Sequence, residues 1–403
     1  MEPPPQDTAT LIQALQSITT TTYQNDPIAK SNLLRAVKAL TERLEDPWER
    51  IYDAVFINPI LLTTLKIATD ITLWYHLDAS APQSYDVLAS KTSTDPALLR
   101  RILRLLASSQ VINEVDVETY CHSTYSAALE DPRGLVTGVQ YYYHTPVLQH
   151  LRLPKYFAEQ GYKHPTDPMT APWKSMVGRP DYPGLRWQYL SEIDPEESLH
   201  FNTFLASMRK DQVPWPTLYP ISDLIENYDP ATPFLVDIGG GNGRDATQLA
   251  QHLSTHYPSL STASIILQDQ PNVLTSLPKD TLPPSIQPQP HDFFTPNPVR
   301  GARAYFLHSV LHDWPDDSAL SILANIKCSM TEGYSKILLM ERIMPARARD
   351  MDPRAAVLDI QMMCNFAALE RTEAQWRDLV VRAGLRVVRV VGMGTYSMIE
   401  AEL

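Results

Sequence analysis

Hydrophobic positions change their spacing along this chain, and each change predicts a different kind of element. After a polar, proline-initiated start, Leu33, Leu34, Val37 and Leu40 recur at helical spacing over the first fifty or so residues, which reads as a packing surface on a helix. A long apolar stretch follows from Ile57 to Tyr75. Tyr85 to Ala89 and Pro96 to Leu106 then read as two short helices around a polar turn at Thr92 to Asp95, with Val111 to Val115 as a small strand. Helix, turn, helix and strand in that order predict a winged-helix arrangement. From about 120 to 225 the chain is aromatic and proline-rich, with Tyr141-Tyr142-Tyr143-His144, a helix around Phe201 to Met208 carrying Phe204, and then Trp215. Such side chains either roof a pocket for a flat apolar ligand or form a seam between domains.

After Pro233 short apolar runs alternate with amphipathic ones, the pattern of a parallel sheet covered by helices. The predicted strands are Phe234 to Ile238, Ser264 to Gln268, Ile286 to Pro290, Ala304 to Val310 and Lys336 to Met340. A hairpin from Leu385 to Val391 and Tyr396 to Glu400 closes the chain through Gly392 and Gly394, and helices start near Arg244, Asp316 and Thr372. The fold class is therefore α/β, with a mainly helical domain over 1–225 and a Rossmann-like domain over 226–403.

Where the first of these strands ends, the sequence runs Val236-Asp237-Ile238-Gly239-Gly240-Gly241-Asn242-Gly243. Four of the chain's 14 glycines crowd into this turn, where the backbone bends sharply and a ligand approaches without meeting a Cβ. Gly241, Gly243 and Ala246 fit the dinucleotide pattern G-x-G-x-x-G/A. Asp237 argues against that use, because a carboxylate repels a pyrophosphate. It suits a nucleoside cofactor that carries an ammonium group and no phosphate, and S-adenosylmethionine (SAM) is such a molecule.

Composition narrows the classes. A length of 403 residues accommodates two domains. The net charge of -12 argues against a nucleic-acid partner, since phosphate binding needs clustered cations. Arg100, Arg101 and Arg104 give one helix the look of a DNA reader, but an isolated basic cluster in an acidic chain reads better as a solvated helix face or a dimer surface. Cys121, Cys328 and Cys364 are few, odd in number and far apart, which suggests free thiols in a reducing compartment. The N-terminus has no basic and apolar leader, and no apolar run is read as long enough to span a bilayer, so a cytoplasmic location is expected.

In an open α/β sheet ligands sit beyond the carboxyl ends of the strands. Asp237 and Asp269 occupy the first two such ends, with Asp269 placed to accept hydrogen bonds from a ribose; Asp292 and Phe293 follow the third and bracket an adenine. After the fourth, His308-Ser309-Val310-Leu311-His312-Asp313-Trp314 puts His312 at the mouth of the site, with an imidazole suited to taking a proton near neutral pH. Glu341 ends the fifth strand and Glu370 precedes the helix that starts near Thr372. If both glutamates reach the imidazole they fix its tautomer and raise its basicity. No cluster of carboxylates and amides suggests a metal.

Together VDIGGGNG, LQDQP, HDFF, GARAYFLHSVLHDWPDD and ERTEAQW make most of the chain resemble the SAM-dependent class I O-methyltransferases of the plant caffeic acid and flavonoid type, especially their fungal secondary-metabolite branch. The resemblance implies that Asp237, Gly239 and Gly241 hold the methionine end of SAM, that Asp269 binds the ribose, and that Asp292 and Phe293 contact the adenine. It implies His312 as the catalytic base, flanked by Glu341 and Glu370. Around the acceptor it places Met363 and Asn365, with His144, Phe204 and Met208 from the helical half, and it implies a homodimer built through that half. His308 departs from the family, which usually carries Lys or Arg there. The runner-up function is a SAM-binding cyclase, pericyclase or dehydratase that transfers no methyl group; His144 is the kind of histidine such an enzyme uses.

Overall fold

The computed structural model describes residues 8–19, 21–23, 26–144, 146–210, 212–278 and 281–403, so the first seven residues of the expected polar tail lie outside it. The chain forms two compact units, Met1–Ala127 and Ala128–Leu403.

In the first unit, helix Pro27–Leu44 is followed by a helix that runs without a break over Pro47–Asp70 and passes through a π-helical turn at Asp53–Ile57. Asp46 starts it with a capping box: its carboxylate accepts the amides of Trp48 and Glu49 while the Glu49 side chain returns to the Asp46 amide. Contrary to the sequence expectation, this 24-residue helix is long and apolar enough, by length and composition, to cross a membrane. Thr64, Leu65 and Ala68 are buried within the unit, whereas Trp48, Ile51, Tyr52, Val55, Phe56 and Ile60 are exposed. The predicted helix pair is present as Tyr85–Lys91 and Pro96–Ser108, the second capped by Asp95. It leads into a three-stranded antiparallel sheet of β1 (Gln83–Ser84), β2 (Ile112–Asp116) and β3 (Thr119–His122), ordered β1-β3-β2. Arg100 and Arg104 both donate to Glu118 at 3.1 Å, so these two cations are engaged by the chain's own hairpin.

The second unit is built on a seven-stranded sheet. β4 (Leu235–Ile238), β5 (Ile265–Asp269), β6 (Ile286–Pro290), β7 (Ala304–His308) and β8 (Lys336–Glu341) are parallel; β9 (Arg386–Met393) and β10 (Tyr396–Glu402) complete it in antiparallel fashion, in the order β6-β5-β4-β7-β8-β10-β9. Strand side chains alternate in direction, and both faces are buried. Val236, Tyr305, Leu307, Ile337 and Leu339 point into one core with Ile322, Leu323 and Trp376 from the covering helices. Leu235, Leu267, Phe306 and Leu338 point into the other with Leu249, Leu253 and Trp215. Strand order reverses between β4 and β7, which makes the carboxyl ends of these strands the crevice where a ligand enters.

The units divide at Ala127/Ala128, well before the 225/226 boundary suggested by the change in hydrophobic texture. Aromatic and sulfur contacts tie the intervening helices to the sheet unit. Trp215 stacks on Phe306 of β7 at 4.7 Å, Trp187 stacks on Phe366 at 5.1 Å, and Met176 meets Cys364 at 3.6 Å. Helix Val136–His144 packs closely on helix Pro195–Arg209, because a Cβ at Gly138 would lie 2.7 Å from the Phe204 ring.

Candidate functional site

The glycine turn after β4 has Gly239 at φ +69 and Gly241 at φ +57, a region that costs a side-chain-bearing residue roughly 1–2 kcal/mol. Its amides are pinned to β5. Those of Gly239 and Gly240 donate to the Gln268 carbonyl, and that of Gly241 to the Asp269 carboxylate at 2.8 Å. Nothing lies within 4 Å of where a Gly241 Cβ would stand, so the backbone is open on that side. A Cβ on Gly240 would instead sit 2.6 Å from the Asp237 carboxyl and press on Leu267. Gly240→Ala is therefore expected to cost about 1–3 kcal/mol through overpacking and to weaken SAM binding. Thermal midpoint and titration calorimetry check this, and wild-type values in both would refute the packing argument.

Asp237 is fully buried in β4, one of its oxygens has no hydrogen-bond partner, and its pKa is raised well above the carboxylate range, first by burial and then by the nearby Asp245 charge. A buried acid in this state is matched by an incoming cation, and the ammonium of SAM is one. Asp269 ends β5 with its carboxylate also raised, chiefly by burial. Phe293 lies against the turn, 3.9 Å from a Cβ built on Gly239, and forms an edge-to-face group with Phe294 and Trp314 at 5.1 and 5.8 Å. Asp292 accepts the Phe294 amide and is exposed. These residues fit a nucleoside cofactor.

His308 ends β7. Its Nδ1 lies 2.7 Å from Asp245, a residue of the first turn of helix Arg244–His256, and its ring meets Tyr396 edge-on at 4.7 Å. Burial alone would raise Asp245, but His308 outweighs it and leaves the carboxyl below its usual range. Ser309 follows in the left-handed region at φ +53, and the chain then forms a one-turn 3-10 helix, Leu311–Asp313, that presents His312.

Glu370 holds the His312 imidazole, with its Oε1 at 2.7 Å from Nδ1, and Asp313 lies 3.5 Å from Nε2. Glu341 does something different from the expected second contact with the ring. Its Oε1 accepts the amides of Val310 and Leu311 at 3.1 and 2.9 Å, fixing the turn that carries the imidazole. Burial by itself would lower the His312 pKa. Asp313, the Glu370 hydrogen bond and Glu341 outweigh that and raise it to about 10. Burial also pushes Asp313 and Glu341 up to about 7. In this state His312 keeps its proton through neutral pH, which corrects the sequence expectation of a base poised near neutrality. Sequence spacing could not show this, because the three acids come from separate segments.

The acceptor-side residues divide. Tyr141 packs with Phe201 at 5.1 Å and with Phe204 at 6.4 Å, and the Tyr142 hydroxyl, 3.4 Å from His150 Nδ1, is close to Gln361 of helix Pro353–Phe366, which also carries Met363 and Asn365. Asn365 Oδ1 is buried without a partner. His144 pairs with Asp194, the cap of the Phe204 helix, at 3.5 Å, and Met208 on that helix is exposed. Sequence spacing does not mark Asp245, Asp313, Asp359 and Arg371 as site residues. As single polar residues beside helix or strand ends, they carried no spacing signal of their own. Among the described residues no group of His, Cys, Asp and Glu is placed to hold a metal ion.

Residues 163–386 match the O-methyltransferase domain family. The chain is 33% identical over 395 residues, 94% of each protein, to the O-methyltransferase ATR12 of Stachybotrys chlorohalonatus. Its fold superposes on LepI in complex with SAM at a TM-score of 0.85, with 25% identity over 98% of this chain and 100% of that one. The same figures hold for the structure of a pericyclic reaction enzyme. With this fold, this glycine turn and this imidazole cluster, the chain belongs to the family of SAM-dependent O-methyltransferases.

Proposed function

We propose that the protein methylates a hydroxyl of an aromatic or polyketide-type small molecule in fungal-like secondary metabolism, with His312 as the group that takes the hydroxyl proton. The observation that carries this reading is the His312–Glu370 pair at 2.7 Å on the turn that follows the central strand of the cofactor crevice. SAM supplies a methyl group on a sulfonium, an in-line electrophile for an oxygen. Asp237, Gly239, Gly241, Asp269, Asp292, Phe293 and His308 line the side assigned to the cofactor. Met363 and Asn365, with His144, Phe204 and Met208, are assigned to the acceptor side, and the ring clusters around Tyr141 and Phe366 favour a flat apolar acceptor.

Glu370 fixes Nδ1 as the protonated nitrogen of the neutral ring, so Nε2 is the basic atom. A phenol of pKa about 10 is protonated at neutral pH and needs such a base. The His312 proton must first leave, and a second positive charge in the same site favours its departure. The uncovered apolar faces of the first unit support a homodimer, and the free cysteines Cys121, Cys328 and Cys364 suit a reducing, cytoplasmic setting.

A second reading is a SAM-binding pericyclase or dehydratase. It is favoured by the likeness to a pericyclic reaction enzyme and by the imidazolium that His312 holds here, which polarises a carbonyl without taking a proton. Mass spectrometry with SAM and a panel of phenolic and enolic acceptors separates the two. Methylation is expected to give one S-adenosylhomocysteine per product and a methyl mass gain. Isomerisation or water loss without S-adenosylhomocysteine would reject it in favour of the second reading.

A further inference from the structure

We propose that Arg371 is a positioning residue for His312, acting through the backbone of the turn that carries the imidazole; this rests on His312 being the base. Arg371 is completely buried, yet its guanidinium directs its hydrogen bonds to neither the His312 ring nor the glycine turn. It donates to the carbonyl of Leu311 at 3.0 Å and to that of Trp314 at 2.8 Å, the residues on either side of His312 and Asp313. Two further bonds, at 3.1 and 2.9 Å, reach the Asp316 carboxylate, and the Trp376 ring lies 4.9 Å from the guanidinium carbon.

This turn needs an external hold. It begins at Ser309 in the left-handed region, a strained state that persists only when surroundings over-determine it, and it contains only one turn of 3-10 helix. Glu341 takes the amides at its start, and Arg371 takes carbonyls at its start and end. The neighbouring residue in sequence, Glu370, bonds the imidazole itself. The dipeptide Glu370-Arg371 thus grips both the ring and the backbone that aims it. Its own placement is fixed on two sides: Asp359 accepts the Glu370 amide at 2.8 Å, and the Arg371 carbonyl accepts the Met344 amide at 2.9 Å. A neutral side chain at 371 would leave the Trp314 carbonyl without its donor, leave the Leu311 carbonyl with the Trp314 amide alone, and release the turn. Lys could restore part of the hold as a point donor without the fork.

The test compares Arg371→Met, Arg371→Lys and Asp316→Asn in the full-length protein. The readouts are steady-state methylation of a phenolic acceptor turned over in the panel above, and NMR titration of the His312 imidazole without SAM. Arg371→Met is expected to lower kcat by about 10²-fold, the scale of an ångström-sized misplacement of a reacting group, with KM little changed and with His312 titrating at lower pH. Arg371→Lys should recover a large part of both. Should Arg371→Met fail to fold, Asp316→Asn, which loosens the guanidinium from an exposed partner, is expected to give the same pattern in milder form.

An unchanged kcat, or a loss unaccompanied by any shift in the His312 titration and unrelieved by Lys, would overturn the proposal. Failure of the underlying reading looks different, since His312→Ala alone would then leave the rate intact. A double variant with His312→Ala separates the roles: on the proposal Arg371→Met adds nothing once His312 is gone, whereas additive losses refute it and leave His312 as the base.

Discussion

Replacing His312 with alanine is expected to lower methyl transfer by roughly 10²- to 10⁴-fold, the usual contribution of a positioned general base, while SAM binding stays nearly unchanged. The separation follows from geometry. Asp237, Asp269 and the glycine amides depend on β4 and β5, whereas His312 is fixed by Glu370, Glu341 and Arg371 on the other side of the crevice. Calorimetry with SAM and single-turnover methylation measure the two effects separately; an unaltered rate would remove His312 from the reaction.

The same residue governs the response to pH. Its pKa of about 10 belongs to the free protein, so kcat/KM should rise with pH through and beyond neutrality. The limb of kcat, which reports the loaded protein, should lie lower, because a second positive charge repels the imidazolium proton. For stability, the raised imidazole contributes fully below its ordinary pKa of 6.5, and that contribution is lost as pH climbs through about 10. Asp313 and Glu341, raised from 3.8 and 4.5 to about 7, destabilise the fold progressively between about pH 4 and 7, where the unfolded chain has lost these protons and the folded one still holds them, and add nothing further above that. Both effects run in one direction, the carboxyls below about pH 7 and the imidazole from 6.5 to about 10, so the thermal midpoint should fall from pH 5 through pH 10. A flat midpoint together with pH-independent rates would contradict this electrostatic account.

Loss of Glu197 is expected to be the most destabilising single change on the helical side of the second unit. Glu197 lies in the first turn of helix Pro195–Arg209 and forms an ion pair with Arg186 of helix Arg186–Glu192; the two side chains are 0% and 3% exposed. The guanidinium also lies over Trp173 and Tyr189, at 5.2 and 5.6 Å. Glu197→Ala strands a positive charge in this aromatic surround, and breaking one side of a buried pair costs about 3–5 kcal/mol. Exchanging both partners together for apolar residues of similar volume should cost far less, because no charge is left unmatched. Urea denaturation of the single and double variants measures the difference. A single-variant loss below about 1 kcal/mol, the worth of an exposed pair, would show that the pair is not desolvated.

Much of the sheet was legible because its signals are local. Buried parallel strands must be apolar on both faces, so Leu235–Ile238, Ala304–His308 and Lys336–Glu341 stand out as short apolar runs, each with a polar residue at or next to its carboxyl end. The positive φ angles of Gly239 and Gly241 were announced by glycine itself, since few other residues tolerate them. The helix Pro353–Phe366 was not anticipated, although it carries Met363 and Asn365, and neither was the attachment of the 128–225 helices to the sheet unit. Both depend on contacts between distant segments, such as Trp187 with Phe366, which leave no periodic trace.

By itself the sequence determined the α/β class and singled out the glycine turn after β4 and the side chains His312, Glu341 and Glu370 as candidates for the chemistry, because each is written in residue type and strand position. Only the tertiary structure decided what these groups do to one another. Glu370 takes the imidazole while Glu341 takes the turn's amides, Asp313 joins the cluster, and Arg371 closes the turn from behind. The physical reason is that hydrogen bonding and mutual charge depend on distances of a few ångströms between segments up to 60 residues apart in the chain, and folding alone sets those distances.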